Sequence, residues 1–568
     1  MPESVEATQT AEATSVEGSP QLTSWRRRAR SLLAEVKADP ARWLSFLVMA
    51  LATAAFTVWF LALCRQQWFV TDEFDYFGPA GHQSLIAWLI EPRNQHSGFF
   101  VFGWFWFLED FMGLGLRHYE IFMIPVVLGH LVVVAAIYRL TWIASASRVI
   151  ATGTALVSLA MGGGVGTLTL AGQMVFTASI AAGLIVILLA VQSSSRRALG
   201  VVIALSFFGV LNGNAFDAFA LAASILYARR RLWWEAIWVA AIPIGWEIGS
   251  RLVWPQAQVN IYAATGLGQI LRDGPAFAYA ALDLAISQTL GETHFTSAVL
   301  TALVLGSLAL ISVGPGWRRT AVSGRVVIAL AVSAILTMLA LVAARLSYGI
   351  VLVTYGGYSY LFLASLLPIG GILLGHIARS RAALLGVAGV FLTVSLIGVV
   401  TINDNAKALG TWKLNGARLM QTAAAELNAG MPTYADQLPV PGTAPTVSQD
   451  KLRSWAVSGQ LDAAIAGPGE VDQVSLNMQW RVAPTDQTAG VCRDLGAGES
   501  FAVPVGASPS ILGLQLGTAV NLRYANSTAV RQFDVPATGV VSLQTVSQRA
   551  AIVTVQAGPV RACLPSWG

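Results

Sequence analysis

WLSFLVMALATAAFTVWFLALC, residues 43–64, contains no charged side chain. A helix over it would rise about 33 Å, enough to cross a hydrocarbon layer roughly 30 Å thick. It begins too far from the start and is too long for a cleavable leader, so it reads as a retained membrane helix. Working outward, further apolar runs lie at about 118–138, 149–169, 173–192, 198–213, 214–228, 232–250, 295–313, 324–343, 355–376 and 383–402. The fold class expected is therefore a polytopic α-helical membrane protein of about eleven transmembrane helices. Composition agrees: 55% of the 568 residues are hydrophobic and 11% charged, against about 25% charged in a soluble domain. A net charge of +5 would suggest a nucleic-acid partner only if it gathered on one soluble face. Here the charges punctuate apolar runs, so the partner is the lipid bilayer and not nucleic acid.

Basic residues orient the chain. With the N-terminus inside, eighteen Lys and Arg fall on cytoplasmic segments and six on the opposite side before residue 403. This alternation requires that GFFVFGWFWFLEDFMGLGL, residues 98–116, lie in the interface rather than span. Twelve of thirteen acidic residues between Trp43 and Thr401 are then outside, so the polar chemistry is expected there. Residues 1–20 read as a disordered tail, within a cytoplasmic N-terminus over 1–42. A transmembrane catalytic domain is expected over 43–402, with an outer loop at 65–117.

Residues 403–568 are expected to form an extracytoplasmic domain. A helix ending at Gly430 and a Pro- and Thr-rich connection to about 447 precede short β-forming runs such as AVNLRYA and AIVTVQAG, read as a β-sandwich or jelly roll. On the oxidising side a Cys492–Cys563 disulfide is expected, the alternative being two unpaired buried thiols. Trp455, Trp480 and Tyr524 could stack on sugar rings or pack a core.

The densest chemistry follows the first span, in WFVTDEFDYFGPAGHQSLIAWLIEPRNQHSGFF. Asp72, Glu73 and Asp75 lie near the membrane boundary, where a sheltered carboxylate can serve as a general base. Glu91, Arg93, Asn94 and His96 come about twenty residues later. On the same side lie Gly172-Gln173, Asn212, Asn214 and Asp217, then Arg251, Asn260, Tyr262, Arg272, Asp273, Glu292 and His294, then Arg345, Tyr348, Tyr355 and Tyr358. Arg272 and Arg345 suit a lipid phosphate through bidentate, charge-assisted bonds, although either could snorkel to headgroups. For His96 or His294 taken alone, a structural or headgroup contact competes with catalysis.

This order of parts resembles the membrane glycosyltransferases of the GT-C fold. Asp72–Glu73 looks like their acidic dyad, and Asn94-Gln95-His96 is similar to an N-x-H element at the end of the same loop. The resemblance covers 43 to about 402 as architecture and extends to actinobacterial arabinofuranosyltransferases. It implies inverting transfer from a polyprenyl-phosphate sugar donor to a cell-envelope glycan acceptor, with His96, Asn94, Arg272, His294 and Arg345 in donor and phosphate binding. Glu in place of a second Asp leaves open whether Asp72 or Asp75 is the base. The sugar, linkage and acceptor stay open, as does a divalent metal; no cofactor is named, and no cysteine cluster has zinc-site spacing. A transporter or flippase of a lipid-linked glycan is the alternative, and a glycan polymerase or ligase would share the site chemistry. No Walker-type loop, HExxH motif or nucleophile elbow occurs.

Overall fold

The computed structural model describes residues 39–78, 84–93, 97–193, 195–255, 263–291, 296–312, 318–349, 358–485, 491–505, 507–513, 518–535 and 540–564. The tail 1–20, Asn94, His96, Asn260, Tyr262, Glu292, His294 and Tyr355 lie outside the described residues.

The first span is α1 (Pro40–Cys64), opened by Asp39, whose side chain accepts from the Arg42 amide and pairs with Arg148 at 2.5 Å. After it come α2 (Leu85–Ile90) and α3 (Phe99–Trp106), the latter running into a π turn at Phe107–Phe111. An eight-residue helix and a five-residue turn are too short to cross a bilayer. The bundle continues with α4 (Tyr119–Phe122), α5 (Ile124–Ser145), α6 (Arg148–Leu159), α7 (Val165–Leu168) and α8 (Met174–Gln192). Next come α9 (Arg196–Asn212), α10 (Ala215–Arg229), α11 (Trp233–Val253), α12 (Leu267–Leu290), α13 (Thr296–Ser312), α14 (Arg318–Arg345), α15 (Ser359–Ile377) and α16 (Arg381–Asn428).

The described part of each of the eleven apolar runs lies mainly on helix, and the chain is a multi-pass membrane protein. Among the described residues seven helices are long and apolar enough to cross a membrane, and the bent pair α6–α7 makes an eighth. The other three, α9, α10 and α13, have 17, 15 and 17 residues, below the roughly 20 that a straight crossing needs. The stretch 251–294, expected as an outer loop, contains the 24-residue α12. Its Arg272, Asp273, Pro275 and Asp283 interrupt the apolar pattern that would have revealed it. Gly398 on α16 stands where an added Cβ would lie 1.6 Å from the Ala160 carbonyl oxygen, so only glycine lets α16 approach the α6–α7 break.

Helix α16 is 48 residues long and continues through residue 403 without interruption. The segment after it is not a free linker. Val440, Ala444 and Val447, with Leu452 and Trp455 of α17 (Gln449–Val457), are buried in the same core as the helical bundle. Helix α18 (Pro468–Gln479) leads into nine strands among the described residues. These are β1 (Trp480–Thr485), β2 (Val491–Leu495), β3 (Ser500–Val503), β4 (Ser510–Gly513), β5 (Thr518–Tyr524), β6 (Arg531–Val535), β7 (Val540–Thr545), β8 (Ala551–Ala557) and β9 (Val560–Leu564). They form two antiparallel sheets, ordered β1-β7-β4-β9-β2 and β3-β8-β5-β6, around a core that includes Trp480, Ile511, Leu522 and Val553. Cys492 and Cys563 face each other across β2 and β9, with Cα atoms 4.0 Å apart, and are bonded. Trp455, Trp480 and Tyr524 are 4%, 0% and 1% exposed, so they pack cores and offer no face to a sugar.

Candidate functional site

Beyond α1 the chain turns on an aromatic anchor. Phe69 is fully buried, its ring 5.0 Å from Phe77 and 4.9 Å from both Tyr119 and Phe122. Thr71 then takes φ +47°, a costly conformation for a β-branched residue, and opens the 3₁₀ turn Thr71–Tyr76. Neighbours hold this turn from outside. The Thr71 amide donates to the Thr443 carbonyl at 2.7 Å, and Lys451 Nζ on α17 donates to the Phe74 carbonyl at 2.8 Å. Arg93 donates to the Asp75 carbonyl at 2.5 Å, its guanidinium lying 4.2 Å from the Trp88 ring and 4.6 Å from that of Phe102.

The three acids of the turn have different surroundings. Asp72 is exposed, Asp75 half-buried and Glu73 only 3% exposed. Glu73 accepts from the Val70 amide at 3.0 Å, the Gly172 amide at 3.0 Å and the Tyr119 hydroxyl at 2.9 Å. That hydroxyl also lies 3.2 Å from the Thr169 carbonyl, but its single proton favours the carboxylate, the stronger acceptor. Burial pushes the Glu73 carboxyl up, opposed first by Lys413 and then by these donors. Lys413 of α16 is itself 0% exposed and donates to Thr169 O at 2.7 Å. Gly172 admits the Tyr76 ring, since an added Cβ would lie 2.6 Å from it.

Glu73 and Lys413 thus join the acidic turn, the α7–α8 connection and α16 through buried polar groups. Lys413→Met should lower unfolding stability in detergent by about 3–5 kcal/mol, because an uncompensated carboxyl remains buried. Adding Glu73→Gln should restore part of the loss in a double-mutant cycle; additive effects would mean the two groups do not interact.

Beside the turn, burial and the neighbouring Asp110 raise Glu109 to about 7. It is 7% exposed, and its Oε2 has no hydrogen-bond partner. Burial lowers Lys451, opposed by Asp75 and Glu109, and lowers Arg93 to about 10.

A cavity of about 630 Å³ opens between α8, α10, α11, α14 and α15. Its polar lining is Asn214, Asp217, Glu247, Arg251, Thr337, Arg345 and Tyr358, set among apolar side chains. Arg345 Nε donates to the Tyr358 hydroxyl at 3.2 Å, and Arg251 lies 3.4 Å from Glu247. Asn212, the last residue of α9, accepts from the Phe100 amide at 2.9 Å and so ties the aromatic helix α3 to this region. The start of α8 connects cavity and acidic turn: Gly172 donates to Glu73, and Phe176, one turn further, lines the cavity 6.3 Å from the Tyr358 ring.

Folding therefore gathers Asn214, Asp217, Arg251, Arg345 and Tyr358, which the sequence places on one side, into one cavity. Arg272 is absent from its lining; it is 76% exposed and paired with Asp273 at 2.9 Å. Sequence reasoning missed Lys413 and Lys451. Gly410 and Gly416, three residues either side of Lys413, mark the face on which α16 is closely approached, a signal that could have found it. Among the described residues no group of three or more His, Cys, Asp or Glu could hold a metal ion.

No family model matches the sequence, and no curated protein matches it. Among solved structures the chain is similar to the crystal structure of ArnT from Cupriavidus metallidurans bound to undecaprenyl phosphate. Identity is 14% over 76% of this chain and 92% of that chain, with a TM-score of 0.41, a similarity that assigns neither family nor residues.

Proposed function

We propose that this chain is a membrane glycosyltransferase of the GT-C type. It moves a sugar from a polyprenyl-phosphate donor to a cell-envelope glycan acceptor on the outer face of a bacterial plasma membrane, where its C-terminal domain also lies. The observation that carries this reading is the pairing of an acidic turn at the end of the first span with a cavity between helices, rimmed by Arg251 and Arg345, joined by the start of α8. Each half matches one requirement of the reaction. The arginines suit a phosphate at the membrane boundary, and an exposed carboxylate on the acidic turn suits a hydroxyl arriving from water.

In this mechanism Asp72 takes the proton of the acceptor hydroxyl. The freed oxygen forms its bond to the anomeric carbon from the face opposite the phosphate, and the bond from that carbon to the phosphate oxygen breaks. Polyprenyl phosphate leaves with the electron pair, and inversion follows from opposite-face attack. Arg345 and Arg251 stabilise the departing charge. Glu73, occupied by three donors, is a positioning residue that fixes the turn.

The test uses purified full-length protein in lipid nanodiscs, with polyprenyl-phosphate arabinofuranose, mannose and glucose as donors and a cell-envelope glycan as acceptor. One donor should yield an elongated glycan of inverted configuration together with free polyprenyl phosphate. Recovery of every donor intact, or merely moved between leaflets, would reject the reading, and the second result would point to a flippase. Arg345→Ala should raise the donor KM roughly 10- to 100-fold without changing the acceptor KM.

A further inference from the structure

We infer that Glu109 is a positioning residue for the acidic turn, holding it while neutral and loosening it when ionised. What the turn does rests on the glycosyltransferase reading; the coupling of Glu109 to the turn does not.

Glu109 sits where the π turn, the acidic turn and α17 meet. The π turn Phe107–Phe111, a rare form that is frequent at functional sites, leaves Asp110 exposed and carries Glu109 inward to 7% exposure. From the acidic turn Gly78 comes against it at φ +54°, where an added Cβ would lie 3.4 Å from Glu109 Oε2. From α17, Trp455 packs on the same turn, its ring 6.1 Å from Phe74 and 5.9 Å from Phe77, and its side chain also reaches Glu109. The π segment is fastened again beyond α17: the Leu116 amide donates to the Gln460 carbonyl at 3.1 Å, and Arg117 pairs with Asp462 at 2.5 Å. Glu109 is therefore enclosed at a joint that is tied on both sides.

A charge at this joint is poorly accommodated. Oε2 is closed off from solvent with no hydrogen-bond partner, so ionisation leaves a buried anionic oxygen unsatisfied. Burial and the repulsion of Asp110 outweigh the attraction of Lys451 and the contacts of the Trp455 side chain and the Gly78 amide, raising the carboxyl from 4.5 to about 7. Lys451 carries the change to the turn. Its Nζ donates to the Phe74 carbonyl at 2.8 Å, while Asp75 and Glu109 attract it and Arg93 repels it. An ionised Glu109 competes with that carbonyl for the ammonium and presses on Gly78, and both contacts belong to the segment that bears Asp72. Because folding raises this carboxyl, its stabilising effect is full below 4.5 and is lost as the pH climbs to about 7.

The experiment follows thermal unfolding of full-length protein in nanodiscs from about pH 5.5 to about pH 8.5, for the wild type and Glu109→Gln, so that other titrating groups cancel in the difference. Over that range the wild type should lose about 3 °C more than the variant. Asp110→Asn, a change at an exposed position, should move this loss to lower pH, because it removes the repulsion that raises Glu109. In the sugar-transfer assay the wild-type rate should fall as the pH passes about 7, and Glu109→Gln should lack that fall while keeping the rise at lower pH that a base at Asp72 gives. Parallel unfolding curves for the wild type and Glu109→Gln, a loss that Asp110→Asn does not move, or the same alkaline fall in rate in both proteins would overturn the inference. The expected unfolding difference in a protein that transfers no sugar would support the coupling and reject the glycosyltransferase reading alone.

Discussion

Replacing Asp72 by Asn is expected to lower sugar transfer about 10²- to 10⁴-fold with donor affinity and folding retained. The substitution keeps the shape of the side chain and removes its capacity to take a proton. Asp72 is exposed, in the turn whose next residue, Glu73, is fully engaged. The strained Thr71 that precedes it costs of order 1–3 kcal/mol and is held by the Thr443 carbonyl, so the direction of Asp72 is set by packing. Two controls separate base from scaffold. Asp75→Asn should cost less, because Arg93 binds the Asp75 backbone carbonyl, which the substitution keeps. Glu73→Gln should lower thermal stability along with activity. Near-normal turnover in Asp72→Asn, measured as initial rate at saturating donor, would move the base to Asp75; near-normal turnover in both would end the assignment.

Truncation after residue 402 is expected to abolish folding altogether. The removed chain includes Met420, Leu427, Leu452 and Trp455, each 4% exposed or less and part of the core shared with the helical bundle. Each contributes about 1.5–3 kcal/mol by burial, and four of them already rival a typical total stability of 5–15 kcal/mol. The cut also removes Lys413, the opposing charge to Glu73, and the Thr443 and Lys451 contacts that hold the acidic turn. The truncated protein should aggregate or be degraded in size-exclusion and protease assays. A monodisperse truncated protein with normal donor affinity would show that the C-terminal segment is an accessory.

Helices were legible because apolar runs in a membrane protein report burial and lipid exposure together, and the described parts of all eleven runs fall mainly on helices. Helix α12 escaped because a segment that carries Arg272, Asp273 and Asp283 no longer reads as lipid-soluble, although helix formation needs no apolar face all round. The connection near 440 reads as loop from its Pro and Thr, yet Val440, Ala444 and Val447 are spaced for burial. Composition averages over spacing and hides this. For the site, residue types were readable; their convergence was not. Arg345 and Asp217 are 128 positions apart, and only the packing of α10 against α14 brings them to one cavity. Arg272 looks equivalent to Arg345 in sequence and differs only in what its helix faces.

Helix α16 carries a mechanical consequence. Forty-eight residues make a rod about 72 Å long, more than twice a hydrocarbon layer of roughly 30 Å, and no proline interrupts it. A rod has no joint at the water boundary, so a tilt of its membrane half must be matched by a swing of its outer half. The outer half acts as a mast that sets the height and heading of what is mounted on it. On the proposed function, an acceptor chain would meet a fixed gantry rather than a tethered arm, and reach along that chain would come from movement of the acceptor and not of the protein.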